Sequence, residues 1–285
     1  MKPNNEVILM DGAMGTQLIR KGVSIDGSLW SAQALLTAPN VVEAIHAAYA
    51  KAGATVHSAN TFRTSPWSLA KAQDSVPGWQ ELTKRALQLA RKAVAVDHLV
   101  AGCIAPLEDC YRPDLSPEPK VCQRQHRIFA EGLAEAGADL LLCETFTQPN
   151  EALIAVEAAA ETGLPVWLSL SAGPNGELLS AQAICETLIR AADLGAAALL
   201  INCSPISLIE DVLMQCTTRG LRLGAYANLG RPDPTLGWRT DGLARPATYA
   251  KAAARWLSSG ACIIGGCCGA GPEHIRELAG LRPTP

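Results

Sequence analysis

The chain is poor in what several broad functions require. Its 24 Lys and Arg are matched by 27 Asp and Glu, a net charge of −3 over 285 residues, and no basic run breaks that balance. Binding to phosphate backbones or anionic lipid needs a concentrated positive face, so nucleic acid and membrane surfaces are not expected as partners. Apolar runs stop at about nine residues, whereas a membrane-spanning helix needs roughly 20. The opening stretch Met1-Lys2-Pro3-Asn4-Asn5-Glu6 has no apolar signal core, and the expected location is the cytoplasm. Nucleotide fingerprints are missing too. The glycine-rich stretches Asp11-Gly12-Ala13-Met14-Gly15 and Gly265-Gly266-Cys267-Cys268-Gly269 are neither G-x-G-x-x-G nor a P-loop with its lysine. No His-x-His ends a predicted strand, which argues against a hydrolase built on imidazole and carboxylate zinc ligands. His46, His98, His126 and His274 fall away from the predicted mouth, and His57 reads as a satisfied core residue.

What is present is a folded-core composition, 48% hydrophobic, with ten cysteines. In a reducing compartment a disulfide framework is not expected, so the cysteines are metal ligands, reactive thiols or small buried hydrophobes. The placement of each has to separate these readings.

Eight short apolar runs alternate with Ala/Leu-rich stretches of helical period. The predicted strands are Val7–Asp11, Thr55–Asn60, Leu99–Ile104, Asp139–Glu144, Val166–Ser171, Ala198–Asn202, Arg222–Ala227 and Cys262–Gly265, apolar on both faces as in a covered parallel sheet. The predicted helices are Asn40–Ala52, Gly78–Val96, Lys120–Ala136, Asn150–Thr162, Ala181–Leu194, Ile206–Arg219, Ala247–Ser259 and Pro272–Leu278. Gly53, Gly137, Gly195 and Gly260 each stand between a helix end and a strand start, where a left-handed cap is wanted. Eight such units without a composition break predict one domain over residues 1–285, a single (β/α)8 TIM barrel. The Pro-rich segments Tyr111–Pro119 and Arg231–Leu243 are loops after strands 3 and 7, on the face where barrel active sites lie.

The strand ends on that face carry polar groups. Cys267 and Cys268 end strand 8 inside a glycine frame. Adjacent residues on a regular strand point to opposite faces, so Gly265, Gly266 and Gly269 are needed to turn the backbone and aim both sulfurs into the mouth. Cys203, after strand 6, supplies a third thiol. Three sulfurs and one open position describe a catalytic zinc site, since structural zinc sites are closed by four protein ligands. Cys103, Cys110, Cys122, Cys143, Cys185, Cys216 and Cys262 read as ordinary buried or loop residues. Asp11 and Glu144 end strands 1 and 4. Two carboxylates facing one pocket suit the ammonium group of an amino acid, or alternatively general acid and base work; Asp11 can also act as a turn cap over the Gly12–Gly15 loop.

Together, Asp11-Gly12-Ala13-Met14-Gly15-Thr16, Ser28-Leu29-Trp30-Ser31, Ala59-Asn60-Thr61-Phe62, Cys143-Glu144-Thr145, Ile201-Asn202-Cys203 and Gly265-Gly266-Cys267-Cys268-Gly269, followed by Pro272-Glu273-His274-Ile275, resemble the zinc-dependent homocysteine S-methyltransferase family along essentially the whole chain. The resemblance implies Zn2+ held by Cys203, Cys267 and Cys268, with the homocysteine sulfur at the open position. It further implies that Asp11, Gly12, Thr61 and Glu144 bind substrate, and that a methyl group passes from a small onium donor such as S-methylmethionine or betaine to the thiolate, giving methionine. The loops after strands 3 and 7 depart from the family pattern, at Ala105–Pro113 and Ala227–Gly230. Trp30, Phe62, Glu108, Asp109, Tyr111 and Tyr226 are candidates for a donor cradle. Methyl transfer to another thiol or selenol is the alternative reading, and a non-catalytic zinc- or redox-responsive protein a second. The expected partners are small-molecule substrates and, in some family members, a further copy of the chain in a homo-oligomer.

Overall fold

The computed structural model describes residues 6–72, 76–216, 220–233, 237–239 and 245–282. Its eight barrel strands are β1 (Ile8–Leu9), β2 (Val56–Ser58), β3 (Leu99–Ile104), β4 (Leu140–Phe146), β5 (Val166–Leu170), β6 (Ala196–Asn202), β7 (Arg222–Tyr226) and β8 (Ala261–Ile264). The outer helices are α1 (Pro39–Ala52), α2 (Trp79–Ala93), α3 (Pro119–Glu135), α4 (Pro149–Ala160), α5 (Ala181–Asp193), α6 (Ile206–Gln215), α7 (Pro246–Ser258) and α8 (Pro272–Ala279). Five of them begin on proline, whose fixed φ and missing N–H suit the first helical position. Gly53, Gly137, Gly195 and Gly260 all have φ between +93° and +107°, the left-handed stops that the sequence predicts.

All eight strands are parallel, in the order β1-β8-β7-β6-β5-β4-β3-β2. Between β1 and β2 a bridge of Met10 with Val56 closes the ring, supported by Thr55 N to Leu9 O (2.8 Å) and Asp11 N to Val56 O (3.0 Å). The fold is a (β/α)8 TIM barrel. Side chains alternate across its wall: Ala198 and Leu200 of β6 join Met10, Val56, Leu142, Trp167 and Ile263 in the barrel interior, while Leu199 and Ile201 pack outward under the helices. The interior is therefore a filled core that forms a floor beneath the mouth.

Strand boundaries differ from the sequence expectation mainly at the carboxyl ends. Strand β2 stops at Ser58 and β1 at Leu9, because the residues beyond leave the ladder to line the mouth. Strand β4 runs on to Phe146, with a register irregularity between Cys143 and Phe146. The segment Arg231–Leu243 forms a short antiparallel ribbon, Arg231–Asp233 against Gly237–Arg239, and its remaining residues lie outside those described, as does the predicted end of the sixth helix at Thr217–Arg219. Cys185 of α5 and Cys216 at the end of α6 are bonded to each other, which corrects the reading of both as free buried thiols. Side-by-side packing of these neighbouring helices brings them together, a proximity that spacing along the chain does not reveal. Among the described residues no helix is long and apolar enough to cross a membrane.

The ends of β7 and β8 are tied by one side chain. The Tyr249 hydroxyl of α7 accepts from Ala227 N (3.0 Å) and lies 2.8 Å from Gly265 O, to which it donates. Tyr249 is fully buried, so Tyr249→Phe leaves both backbone groups unpaired away from water. Destabilisation by about 1–3 kcal/mol is expected in urea unfolding; a variant as stable as the parent would show the tie to be dispensable.

Candidate functional site

The mouth of the barrel opens into a cavity of about 970 Å³. Asp11, Gly12, Glu144, Cys203, Cys267 and Cys268 all line it, so one concavity gathers residues that stand up to 257 positions apart in sequence (268 minus 11).

The thiol cluster comes from two strained or crowded strand ends. Cys203 follows β6 in the left-handed region, φ +46°, with its N–H donating to Tyr226 O at 3.1 Å. Such a φ is costly for a residue with a Cβ and persists only where its surroundings fix it. On the other side, Cys267 N donates to Ala227 O (3.0 Å) and Leu229 N to Cys268 O (2.8 Å), binding the strand 8 turn to strand 7. The glycine frame works differently from the sequence expectation. Only Gly269 has a positive φ, +87°. Gly265 and Gly266 are required by close approach: a Cβ on Gly266 would lie 2.4 Å from the Ala270 Cβ, and one on Gly265 2.7 Å from the Met10 Cβ. Cys203 Sγ and Cys268 Sγ are 3.5 Å apart, and all three sulfurs lie within 4.8 Å of one another. Tetrahedral zinc with sulfur ligands at 2.3 Å separates the sulfurs by about 3.8 Å, so the cluster fits that ion in size and softness. Hydrogen bonds from the Cys267 and Cys268 thiols hold Cys203 well below the ordinary thiol range, and the same sharing raises the two donors.

The carboxylates stand beside this cluster. Asp11 is 4% exposed; its Oδ2 accepts from Ser58 N at 2.9 Å, and its carbonyl accepts from Gly266 N at 3.0 Å. Burial raises its carboxyl well above the usual range, against the Ser58 N–H. Glu144 is half-buried, its Oε2 3.3 Å from the Tyr226 hydroxyl, and burial pushes it up to about 7. Next to it Thr145 adopts φ +62°. Asn202 holds that turn: its Oδ1 accepts from Thr145 N (3.1 Å) and Ser169 Oγ (2.8 Å), and its Nδ2 donates to Thr145 Oγ1 (2.8 Å). Gly12 is fixed by Tyr49, since a Cβ there would lie 2.7 Å from the ring.

Two expectations are corrected. Thr61 does not line the cavity; it is fully buried, its Oγ1 donating to Cys103 O (2.9 Å) and accepting from Cys103 N (2.8 Å). The neighbouring Asn60, Phe62 and Arg63 line the cavity instead. His46 is not remote from the mouth: its Nδ1 is 4.0 Å from Asp11 Oδ2, and Asp11, His46 and His57 have ligand atoms within 4.8 Å of one another. Neither ring nitrogen of His46 has a hydrogen-bond partner among the described residues, and His57 is satisfied only at Nε2, 3.1 Å from His98 Nδ1. Burial lowers His46 to about 4 and His57 to about 3, so both are neutral at pH 7, sealed behind the wall and not facing the cavity.

Of the donor-side candidates, Trp30, Phe62, Glu108, Asp109, Tyr111 and Tyr226 line the same cavity. Trp30 and Phe62 pack edge to face at 5.6 Å. Glu108 is already engaged, accepting from Trp67 Nε1 (3.1 Å) and pairing with Lys71. Residues not singled out by the sequence hold this loop in place. Arg63 donates to the carbonyls of Pro106 (3.1 Å) and Glu108 (2.9 Å), and buried Glu151 accepts from Leu107 N (2.8 Å) and Ser116 Oγ (2.6 Å).

A closed parallel barrel carries a compact thiol cluster and two carboxylates on one cavity at its carboxyl-end face, a donor set that suits a soft metal ion and a small cationic ligand. The homocysteine S-methyltransferase family model matches residues 8–281, and the chain belongs to that family. It is 31% identical to homocysteine S-methyltransferase YbgG of Bacillus subtilis, covering 96% of this chain and 93% of that one. It is 24% identical to selenocysteine Se-methyltransferase of Brassica oleracea var. italica, covering 98% and 89%. The metallated form of the homocysteine methyltransferase MmuM from Escherichia coli superposes with a TM-score of 0.79 at 28% identity, covering 96% of each chain.

The packing at Gly266 generates a test of the cluster. Gly266→Ala should fold, with an unchanged far-UV spectrum, yet displace Cys267 and Cys268 and lower bound metal per chain at least tenfold by elemental analysis. Full metal occupancy in that variant would show that close approach at Gly266 does not set the sulfurs.

Proposed function

We propose that this chain is a zinc-dependent methyltransferase that moves a methyl group from a small onium donor, such as S-methylmethionine or betaine, to the thiolate of L-homocysteine, giving methionine. The observation that carries this reading is the convergence of three thiols and two carboxylates on one cavity. Cys203, Cys267 and Cys268 would hold the ion, leaving a position open to the substrate sulfur. Bound zinc lowers the pKa of a coordinated thiol so that the nucleophile is present as thiolate at neutral pH.

The protein's own residues do the rest. Asp11 and Glu144 present acceptor oxygens to the α-ammonium, while the Gly12 N–H, close to the cavity wall, suits the carboxylate. With both ends of the amino acid fixed, its sulfur points along one line at the donor methyl carbon. A new S–C bond forms as the donor S–C or N–C bond breaks, the electron pair leaving with the donor heteroatom, and the thiol proton goes to solvent. Charge is dispersed and not created in such a transfer, so alignment of the two substrates at near-attack distance supplies most of the acceleration. A sulfonium or ammonium methyl would pass between Trp30, Phe62 and Tyr111, whose ring faces attract cations. Thiol substrates and free cysteine ligands suit a reducing cytoplasm; the Cys185–Cys216 bond lies outside the cavity lining.

A second acceptor reading is favoured by the selenocysteine Se-methyltransferase relative: a selenol would occupy the same position. Competition between homocysteine and selenocysteine for one donor separates the two.

Metal-replete protein incubated with homocysteine and a panel of onium donors should form methionine, and Cys268→Ser should lose both zinc and turnover. Failure of every donor with zinc bound stoichiometrically would overturn the reading. A pH profile tests Glu144. Because it must be ionised to hold an ammonium, kcat/KM for homocysteine should climb to a plateau as pH rises through about 7. Glu144→Gln should raise KM for homocysteine by roughly 10–100-fold, the loss of one charge-assisted pair, and an unchanged KM would remove Glu144 from substrate binding.

A further inference from the structure

We propose that Tyr111 is a positioning residue for the thiol cluster, its hydroxyl donating to the Cys203 sulfur and setting how that sulfur meets a bound metal ion. The inference rests on the reading of Cys203, Cys267 and Cys268 as metal ligands. The Tyr111 hydroxyl lies 3.2 Å from Cys203 Sγ. A phenol has one proton to give and a cysteine sulfur accepts it. A second donor approaches a different sulfur, Asn202 Nδ2 at 3.8 Å from Cys267 Sγ, so the cluster is surrounded by hydrogen-bond donors on two sides.

The loop after β3 is built to deliver this phenol. Tyr111 N donates to Asp109 Oδ1 (2.9 Å), and Thr147 Oγ1 donates to the carbonyl of the preceding Cys110 (2.5 Å). The Arg63 guanidinium secures the start of the same loop through its two carbonyl contacts. Tyr111 thus joins two functions: it lines the same cavity as the other donor-side candidates, and its hydroxyl touches a sulfur read as a metal ligand. Hydrogen bonds of this kind fix ligand orientation and adjust how much charge the ligand gives the metal. A donor to the Cys203 thiolate withdraws charge from it, and a metal ion held there binds an incoming thiol more tightly. Seating the donor loop and preparing the acceptor site thereby share one residue.

Tyr111→Phe keeps the ring and removes the hydroxyl. With Co2+ loaded in place of zinc, the sulfur-to-cobalt charge-transfer band should move to lower energy in the variant, because the unbonded thiolate gives up an electron more easily. Zinc affinity, read by chelator competition, should fall roughly tenfold, and KM for homocysteine should rise more than kcat falls. An unmoved band with unchanged zinc affinity overturns the inference; weaker zinc with an unmoved band overturns it too, since packing alone then accounts for the loss. Parent protein that takes up no Co2+ would instead overturn the metal-site reading beneath it.

Discussion

The mouth of this barrel depends on how β1 is held. That strand has only two residues in the ladder, yet it must join β8 to β2 and close the ring. Met10 N donates to Ile264 O at 2.8 Å on one side, and Asp11 N to Val56 O at 3.0 Å on the other. Asp11 continues the seam after the strand ends, its carbonyl accepting from Gly266 and its side chain from Ser58. One residue therefore links strand 8, strand 1 and strand 2, and the same residue faces the cavity. Closure and chemistry are coupled there: the turn that carries Cys267 and Cys268 is positioned by backbone bonds that run through Asp11.

Strand ends that leave the ladder would otherwise strand polar groups in the interior. The barrel resolves this with a few side chains that reach across. Asn202 satisfies Thr145 and Ser169 together, which makes the left-handed turn at Thr145 tenable beside Glu144. Tyr249 does the equivalent beneath Ala227 and Gly265, and Tyr49, with its hydroxyl 2.9 Å from Ala13 O and 3.0 Å from Ala270 O, beneath loops 1 and 8. Each of these anchors is buried and each bonds to a residue within two positions of a thiol or carboxylate of the mouth, so rigidity is concentrated beside the sulfurs and carboxylates.

The eight units and the polar strand ends were legible because they rest on local rules: period two against period 3.6, glycine at a left-handed stop, proline at a first turn. Cys267-Cys268 was legible because two adjacent cysteines framed by glycines suit neither a regular strand nor ordinary core packing. Thr61 turns to the Cys103 backbone because it lies beyond the end of β2 at Ser58, where strand alternation no longer sets which way a side chain points. The reason for Gly265 and Gly266 was misread in kind, since it lies in close approach, to Met10 on the neighbouring strand and to Ala270 where the turn folds back. Tyr111, Arg63 and Glu151 act through tertiary contacts across 35 to 92 positions of sequence separation, and no periodicity encodes those.

Charge explains why these groups belong together. Burial pushes Asp11 and Glu144 toward their protonated forms, and hydrogen-bond sharing with Cys203 does the same to Cys267 and Cys268, so the cavity by itself favours the neutral forms of its acids. Its cationic side chains do not relieve this: Arg63 is turned to loop carbonyls and Lys71 to Glu108, while His46 and His57 stay neutral. A low-dielectric pocket in that condition gains most from ligands that bring positive charge. On the proposed function, a divalent ion at the sulfurs and an ammonium at the carboxylates would supply it at the two places where the acids cluster, and an onium donor would be drawn to the same field.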